Sequence, residues 1–497
     1  MTVIDQEFLR RVSPIPFHGL GLSVDVYQPD LFGLLTALEE DDVSLGYLEV
    51  FKASTAVLTE VRRRLPGALL EYHAEGLWVT QPDFLSQYPV EVEVSVAAEQ
   101  LRTLQSWWAN YEGAAKQMAG YSFGTYLPPL FTIESADVTA ANIAWVQDRL
   151  DHLSPITPGT GPLFLLETPP LTYFGFGDID MADFFRRVTD QAACGVVLDI
   201  GHLWTVYRYS QNYRQRPLER FLRDFLDRFP LGRVVHVHAA GLALHDAMKS
   251  RSIDSNQFDS LPRWIDAHGA PIPEVLFNML EQVLSHPRLS QLRGLALEVD
   301  TKAIPEVVVE FQQFQKRFER WKQAATGTEE PDISSCFSGP HIPARPAEGV
   351  GRREALLQQY RAYVDIVTGS AEPDPALLPS SGCEPESIGF YRHTYLPNEI
   401  LHWGGDLNTM FPETCLALDR AGVALEAFVR FWFREPRKVI ERYDFFHLKL
   451  NMFTAFVTEA LPEAAEMVKR EAAGLCLDYE MACDVVAQSG KADVLSS

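Results

Sequence analysis

In PLFLLETPP, residues 162–170, a run of Leu and Phe is followed near its C-terminal end by a single acid, Glu167. Short apolar runs of this kind read as strands. Seven more occur between residue 19 and about residue 325: GLGLSVD (19–25), LGYLEVF (45–51), ALLEYHAEGLWV (68–79), GYSFGTYL (120–127), CGVVLDIGHLW (194–204), RVVHVHAAGL (233–242) and LRGLALEVD (292–300). Amphipathic stretches such as ADVTAANIAWVQDRLDHL and MADFFRRVTDQAA lie between several of them, with apolar residues at i, i+3, i+4 and i+7. Alternating strand and helix implies parallel pairing. Eight such units closing on themselves predict an α/β fold, a (β/α)8 TIM-type barrel of ~250 residues or more, within residues 1–325.

The polar residues of these runs fall at one end. Glu49, His73, Glu167, Asp199, His238 and Glu298 each stand near the C-terminal end of a strand candidate. A barrel interior is filled by branched apolar side chains, so ionisable groups repeated at one end mark the face that carries active sites. WIDAHG (264–269) adds Asp266 and His268 after the seventh strand, although Asp and Gly also favour a plain turn. Acids and imidazoles converging on one pocket repel or stay partly protonated unless a cation organises them. Oxygen and nitrogen donors without thiolates suit iron, manganese or magnesium. Glu167, Asp199, His238 and Glu298 suffice for one divalent ion, and His73, His202, Asp266 and His268 for a second, with an acid bridging.

At 497 residues the chain exceeds the size at which single cores usually split. TGTEEPDISSCFSGPHIPARPAEGVG (326–351), rich in Pro, Gly and Ser, reads as a linker, and residues 352–497 read as a small all-α domain. Its aromatic stretches FVRFWFREP and YDFFHLKLNMF are expected in helix core. Hydrophobic content of 46% supports a packed interior, and a formal charge of −24 disfavours nucleic acid and anionic membrane as partners. No run approaches the ~20 apolar residues of a spanning helix, and the N-terminus lacks a secretory pattern, so a soluble, cytoplasmic protein is expected. The six cysteines show no CxxC spacing and are expected to be reduced and mostly buried.

LLEYHAEGL, FLLETPP, VVLDIGH, VHAAG, IDAHG and LALEVDTKAIPE, in this order, resemble the motifs of the multinuclear non-heme iron-dependent oxidases. That barrel family includes the oxidase acting on the methanobactin precursor. The resemblance covers roughly residues 19–315. It implies metal ligation by His73, Glu167, Asp199, His238, Asp266, His268 and Glu298, with His202 standing where the family often has Asn. His236 shares a strand face with His238 and lines the interior or adds a ligand. The resemblance further implies two or three irons of mixed Fe(II)/Fe(III) valence and O2 as co-substrate. It implies a four-electron oxidation of a ribosomally made peptide at Cys, or at Asp or Asn, with Asp266, His268 and Glu167 closest to the chemistry. GFYRHTYLPNEILHWGGDLNTMFPETCLAL (389–418) is similar to the small helical partner proteins of these oxidases, which implies a peptide-presenting domain fused to the barrel and no need of a separate partner.

Three departures stand out. LEVFKAST lacks the family's Glu-Asn pair after Glu49, Thr168 replaces an Asn, and GYSFGTYL, read as the fourth strand, lacks the family's His, which favours two irons over three. The same strand-end residues also fit a sugar isomerase or epimerase of the xylose-isomerase-like barrels, for which Asp266, His268 and His73 are superfluous. A phosphoesterase of the endonuclease type is opposed by the charge. A non-catalytic, metal-holding peptide scaffold is the reading from another class.

Overall fold

The computed structural model describes residues 1–87, 89–244, 264–321, 350–372, 378, 385–438 and 442–488. Eight parallel strands close into a barrel: β1 (Gly19–Val24), β2 (Tyr47–Phe51), β3 (Leu70–Ala74), β4 (Trp108–Glu112), β7 (Leu163–Glu167), β8 (Gly195–Asp199), β9 (Val234–Ala239) and β12 (Gly294–Glu298). They neighbour one another in chain order, and β12 pairs β1 to complete the ring. Helices cover the outside, so the strands are buried almost throughout, which is why they read as near-continuous apolar runs.

One strand differs from expectation. The fourth barrel strand is WANYE (108–112), not GYSFGTYL. The latter forms β6 (Tyr121–Leu127), which pairs antiparallel with β5 (Ala115–Met118) in a hairpin emerging from the end of β4. Its alternation reflects a ribbon with two unlike faces. WANYE escapes notice because it is short and its polar residues face the barrel interior. One predicted run is also shorter as a strand. CGVVLDIGHLW yields a strand only to Asp199, whose side chain accepts from the His202 backbone N–H and caps a helix over Ile200–Tyr209. WIDAHG begins as β11 (Trp264–Asp266), paired antiparallel with β10 (Leu242–Leu244).

The N-terminal end of the barrel is closed by a helix, Val3–Val12, whose Thr2 and Asp5 form a reciprocal cap. Its Phe8 and Val12 pack on Ile15, Tyr47, Trp108, Leu165 and Val235. Tyr47 crosses the interior because Gly21 and Gly294 leave it room: a Cβ on either would approach its ring or hydroxyl to 2.5 and 2.7 Å.

From residue 350 onward only helices occur among the described residues. The predicted linker lies outside the described residues except for its last two, where the helix Val350–Thr368 begins. That helix lies against the barrel helix Ile133–Leu153 and β5, and the helix Leu396–His402 lies on β6. Tyr360 OH donates to Thr80 O (3.1 Å), Tyr363 OH to Pro128 O (3.2 Å), Arg353 Nε to Pro82 O (2.6 Å) and Trp432 Nε1 to Ser122 O (2.7 Å). Both aromatic stretches supply core: Phe428, Trp432, Leu450 and Phe453 are buried. Cys194 and Cys415 are buried free thiols and Cys476 is a half-buried one. Among the described residues no helix is long and apolar enough to cross a membrane.

Candidate metal centre

The strand ends meet where the sequence placed them, at the C-terminal mouth. His73 on β3, Glu167 on β7, His238 on β9 and Glu298 on β12 are buried and offer four donor atoms all within 4.8 Å of one another. His73 Nε2 lies 3.3 Å from Glu167 Oε2 and 3.9 Å from Glu298 Oε1. His238 Nδ1 lies 3.0 Å from Glu167 Oε1 and 3.3 Å from Glu298 Oε1. Asn110 donates to Glu167 Oε2 at 2.6 Å.

A second group adjoins it towards solvent. Asp266 Oδ2 sits 3.2 Å from both His202 Nε2 and His268 Nε2. His268 reaches Glu298 Oε2 at 3.6 Å, and its Nδ1 lies 3.3 Å from Asp300 Oδ2. His202 Nδ1 hydrogen-bonds the carbonyl of Thr168, and its Nε2 is 4.0 Å from Asp199 Oδ1. Asp266 and His268 keep side-chain exposures of 18% and 22%, against 2% for His202. They line the open side of the mouth.

Below the first group lies Glu49. Its Oε2 is 2.8 Å from His238 Nε2 and accepts from Ser23 Oγ at 2.9 Å. Its Oε1 accepts from Trp108 Nε1 at 3.2 Å and lies 3.4 Å from His236 Nδ1. The far nitrogen of His236 meets the hydroxyl of Tyr47. Ser23 and Trp108 thus donate to Glu49, and His236 and His238 flank it on this inner side.

The protonation pattern shows that the mouth is short of positive charge. Burial disfavours the proton on His73, yet the hydrogen bond to Glu167 and the charges of Glu49, Glu167 and Glu298 push it up to about 9. His202, His238 and His268 are likewise pushed up, against burial, by neighbouring carboxylates. Burial pushes Glu298 up to about 7, and Glu112 and Asp199 also rise through burial and the acids beside them. Several buried donor atoms have no hydrogen-bond partner among the described residues: His73 Nδ1, Asn110 Oδ1, Glu112 Oε2, Asp199 Oδ2 and Asp266 Oδ1. Since buried polar atoms are nearly always paired, such a cluster fits divalent metal. The donor set is nitrogen and oxygen, without thiolate.

Sequence reasoning missed Asn110 and Glu112. Both stand on the unrecognised β4, and a Trp-Ala-Asn-Tyr-Glu run gives little strand signal beyond its aromatics.

Residues 114–319 match the family described as RiPP precursor modification enzyme MbnB/TglH/ChrH. The resemblance read from the strand-end motifs is thereby found again across the later part of the barrel. A UPF0276 protein of Caulobacter vibrioides is 26% identical over 283 residues, which cover 54% of this chain and 82% of that protein. A UPF0276 protein of Bordetella pertussis is 29% identical over 136 residues, 27% of this chain and 40% of that protein. Among solved structures, endonuclease IV from Thermus thermophilus aligns at 16% identity and a TM-score of 0.36, covering 61% of this chain and 99% of that one. A D-tagatose 3-epimerase-like protein aligns at 13% identity and a TM-score of 0.35, covering 61% and 98%.

Proposed function

We propose that the chain is a multinuclear iron-dependent, O2-using oxidase that modifies a Cys, or an Asp or Asn, of a ribosomally synthesised peptide, with its C-terminal helices helping to present that peptide. One observation carries the reading: His73, Glu167, His238 and Glu298 converge, buried, on one point at the barrel mouth. The match to a family of RiPP precursor modification enzymes supports the substrate class.

His73, Glu167, His238 and Glu298 would hold one ion, and Asp199, His202, Asp266 and His268 would contribute to another. Bound iron would supply redox chemistry with O2 and Lewis acidity toward an anionic substrate group. The chain's own part is to orient and to move protons. His238 Nδ1 hydrogen-bonds Glu167 Oε1 and its Nε2 lies 2.8 Å from Glu49 Oε2, so the two carboxylates hold the ring between them. The Thr168 carbonyl fixes His202 at Nδ1, which turns its Nε2 toward Asp266 Oδ2. Asp266 and His268, on the open side, stand where an incoming residue arrives and are placed to take up its proton.

The test is anaerobic reconstitution with Fe(II), then oxygen uptake on adding short Cys-, Asp- or Asn-rich peptides encoded by neighbouring reading frames. Peptide-dependent oxygen consumption with a mass change in the peptide supports the proposal. A chain that takes up one manganese and turns over a sugar is an isomerase or epimerase instead, and one that binds iron and peptide without mass change is a scaffold.

A further inference from the structure

We propose that Glu112 is a metal ligand, forming with His202 and the shared carboxylate of Glu167 a second cation position beside the four-residue cluster. The inference rests on the metal-centre reading above and adds a residue that neither the motif resemblance nor the family match, which begins at residue 114, includes.

Strand geometry puts Glu112 there. Side chains two apart on a strand share a face. Asn110 points inward, because its amide bonds Glu167, so Glu112 points inward as well, one step nearer the mouth. Glu112 is also in register with Glu167 across the β4–β7 pair. One donor atom from each of Glu112, Glu167 and His202 lies within 4.8 Å of the other two.

The donors are also prepared. His202 is fixed by the Thr168 carbonyl at Nδ1, so its Nε2 presents a lone pair. Glu112 Oε2 is buried without a hydrogen-bond partner, and among the described residues no Arg or Lys pairs with this carboxylate. Asp199, fully buried beside His202, has an Oδ2 that is likewise unpartnered, its Oδ1 being spent on the helix cap. Unpartnered oxygens on neighbouring elements, facing an imidazole lone pair, are donors suited to a cation. Carboxylate and imidazole donors without sulfur suit a first-row divalent ion such as Fe(II), Co(II) or Mn(II).

The test counts metal. The full chain, stripped with chelator, is reloaded anaerobically with Fe(II), desalted and analysed for iron, with Co(II) absorption as a second readout. Wild type is expected to keep at least two equivalents. Glu112→Gln is expected to keep one fewer with an unchanged circular-dichroism spectrum, whereas Glu112→His, which restores a donor, keeps the full number. Glu112→Asp serves if the Gln variant does not fold, and is expected to weaken the second equivalent by at least about tenfold, the lower end of what a lost supporting contact costs. Full retention with unaltered affinity in folded Gln or Asp variants overturns the proposal, as does a wild type that holds one equivalent. A wild type that holds no metal overturns the metal-centre reading itself.

Discussion

The two ends of the barrel bury the same residue types and treat them oppositely. At the N-terminal end Glu71 receives His18 Nε2 on one oxygen at 2.6 Å, and Ser106 Oγ and the backbone N–H groups of Trp107 and Trp108 on the other, at 2.7 to 3.2 Å. At the mouth, Asp199, Asp266 and Glu112 each keep a buried oxygen without a partner. Glu71 is satisfied by protein donors, whereas oxygens left unpartnered in a buried site cost stability. Burial alone therefore does not separate the two ends; the unpartnered oxygens of Asp199, Asp266 and Glu112 do.

Substitutions at the two ends should break this contrast in opposite directions. Glu167→Gln is expected to have the largest effect, eliminating iron retention at the four-residue cluster and lowering peptide-dependent oxygen uptake by more than about 100-fold. Its metal-free stability should stay within about 1 kcal/mol of wild type, as measured by urea unfolding. Glu71→Ala should do the reverse, costing about 3–5 kcal/mol in the same titration because His18 and three further donors lose their acceptor, while folded protein still binds iron. A loss of iron affinity without a loss of stability in Glu71→Ala would erase the distinction.

Glu49 lies between the ends and sharpens the comparison. Ser23 and Trp108 donate to it, yet it also touches the His238 ring, whose other nitrogen faces Glu167. Glu49→Gln is expected to weaken iron binding by about 10–100-fold, with Glu49→Asp partly restoring it. Trp432→Phe, at the helical region, should cost about 1 kcal/mol by leaving the Ser122 carbonyl unpaired, with no change in iron content.

A separate effect is in pH dependence. Glu399, on the helix over β6, is pushed up to about 7 by burial. A carboxyl group raised in the folded state contributes stability that is complete below its unfolded value and is lost as pH rises through the folded one. Stability should fall between about pH 4.5 and 7, and Glu399→Gln should flatten that slope in unfolding titrations.

Most of the barrel was legible because a strand buried on both faces leaves an uninterrupted apolar run, and an acid or imidazole at its end is then conspicuous. WANYE was not legible, since Asn110 and Glu112 occupy the interior positions and erase the apolar run that marks the other strands. Taking β6 in its place left the strand that carries Asn110 and Glu112 out of the reading. Asp266 and His268 could be placed beside the strand ends from spacing alone. Their union with His202 through one carboxylate oxygen required the fold, because β10 and β11 bring Asp266 back over the helix that begins at Asp199. The surroundings of Glu49 were equally hidden, since Ser23, Trp108 and His236 come from three different strands.

The docking of the helical region has a consequence for how the two parts can diverge. Tyr360, Tyr363, Arg353 and Trp432 donate to backbone carbonyls of the barrel's loops and hairpin, beside side-chain pairs of Tyr360 with Ser135 and of Arg442 with Glu93. A carbonyl is present whatever residue carries it. Mutation in those loops can therefore proceed without removing these acceptors, and because both parts share one chain the contact needs only modest intrinsic affinity to stay closed. The seam tolerates drift in the rim of the mouth, the part of an enzyme that has to change when its substrate does.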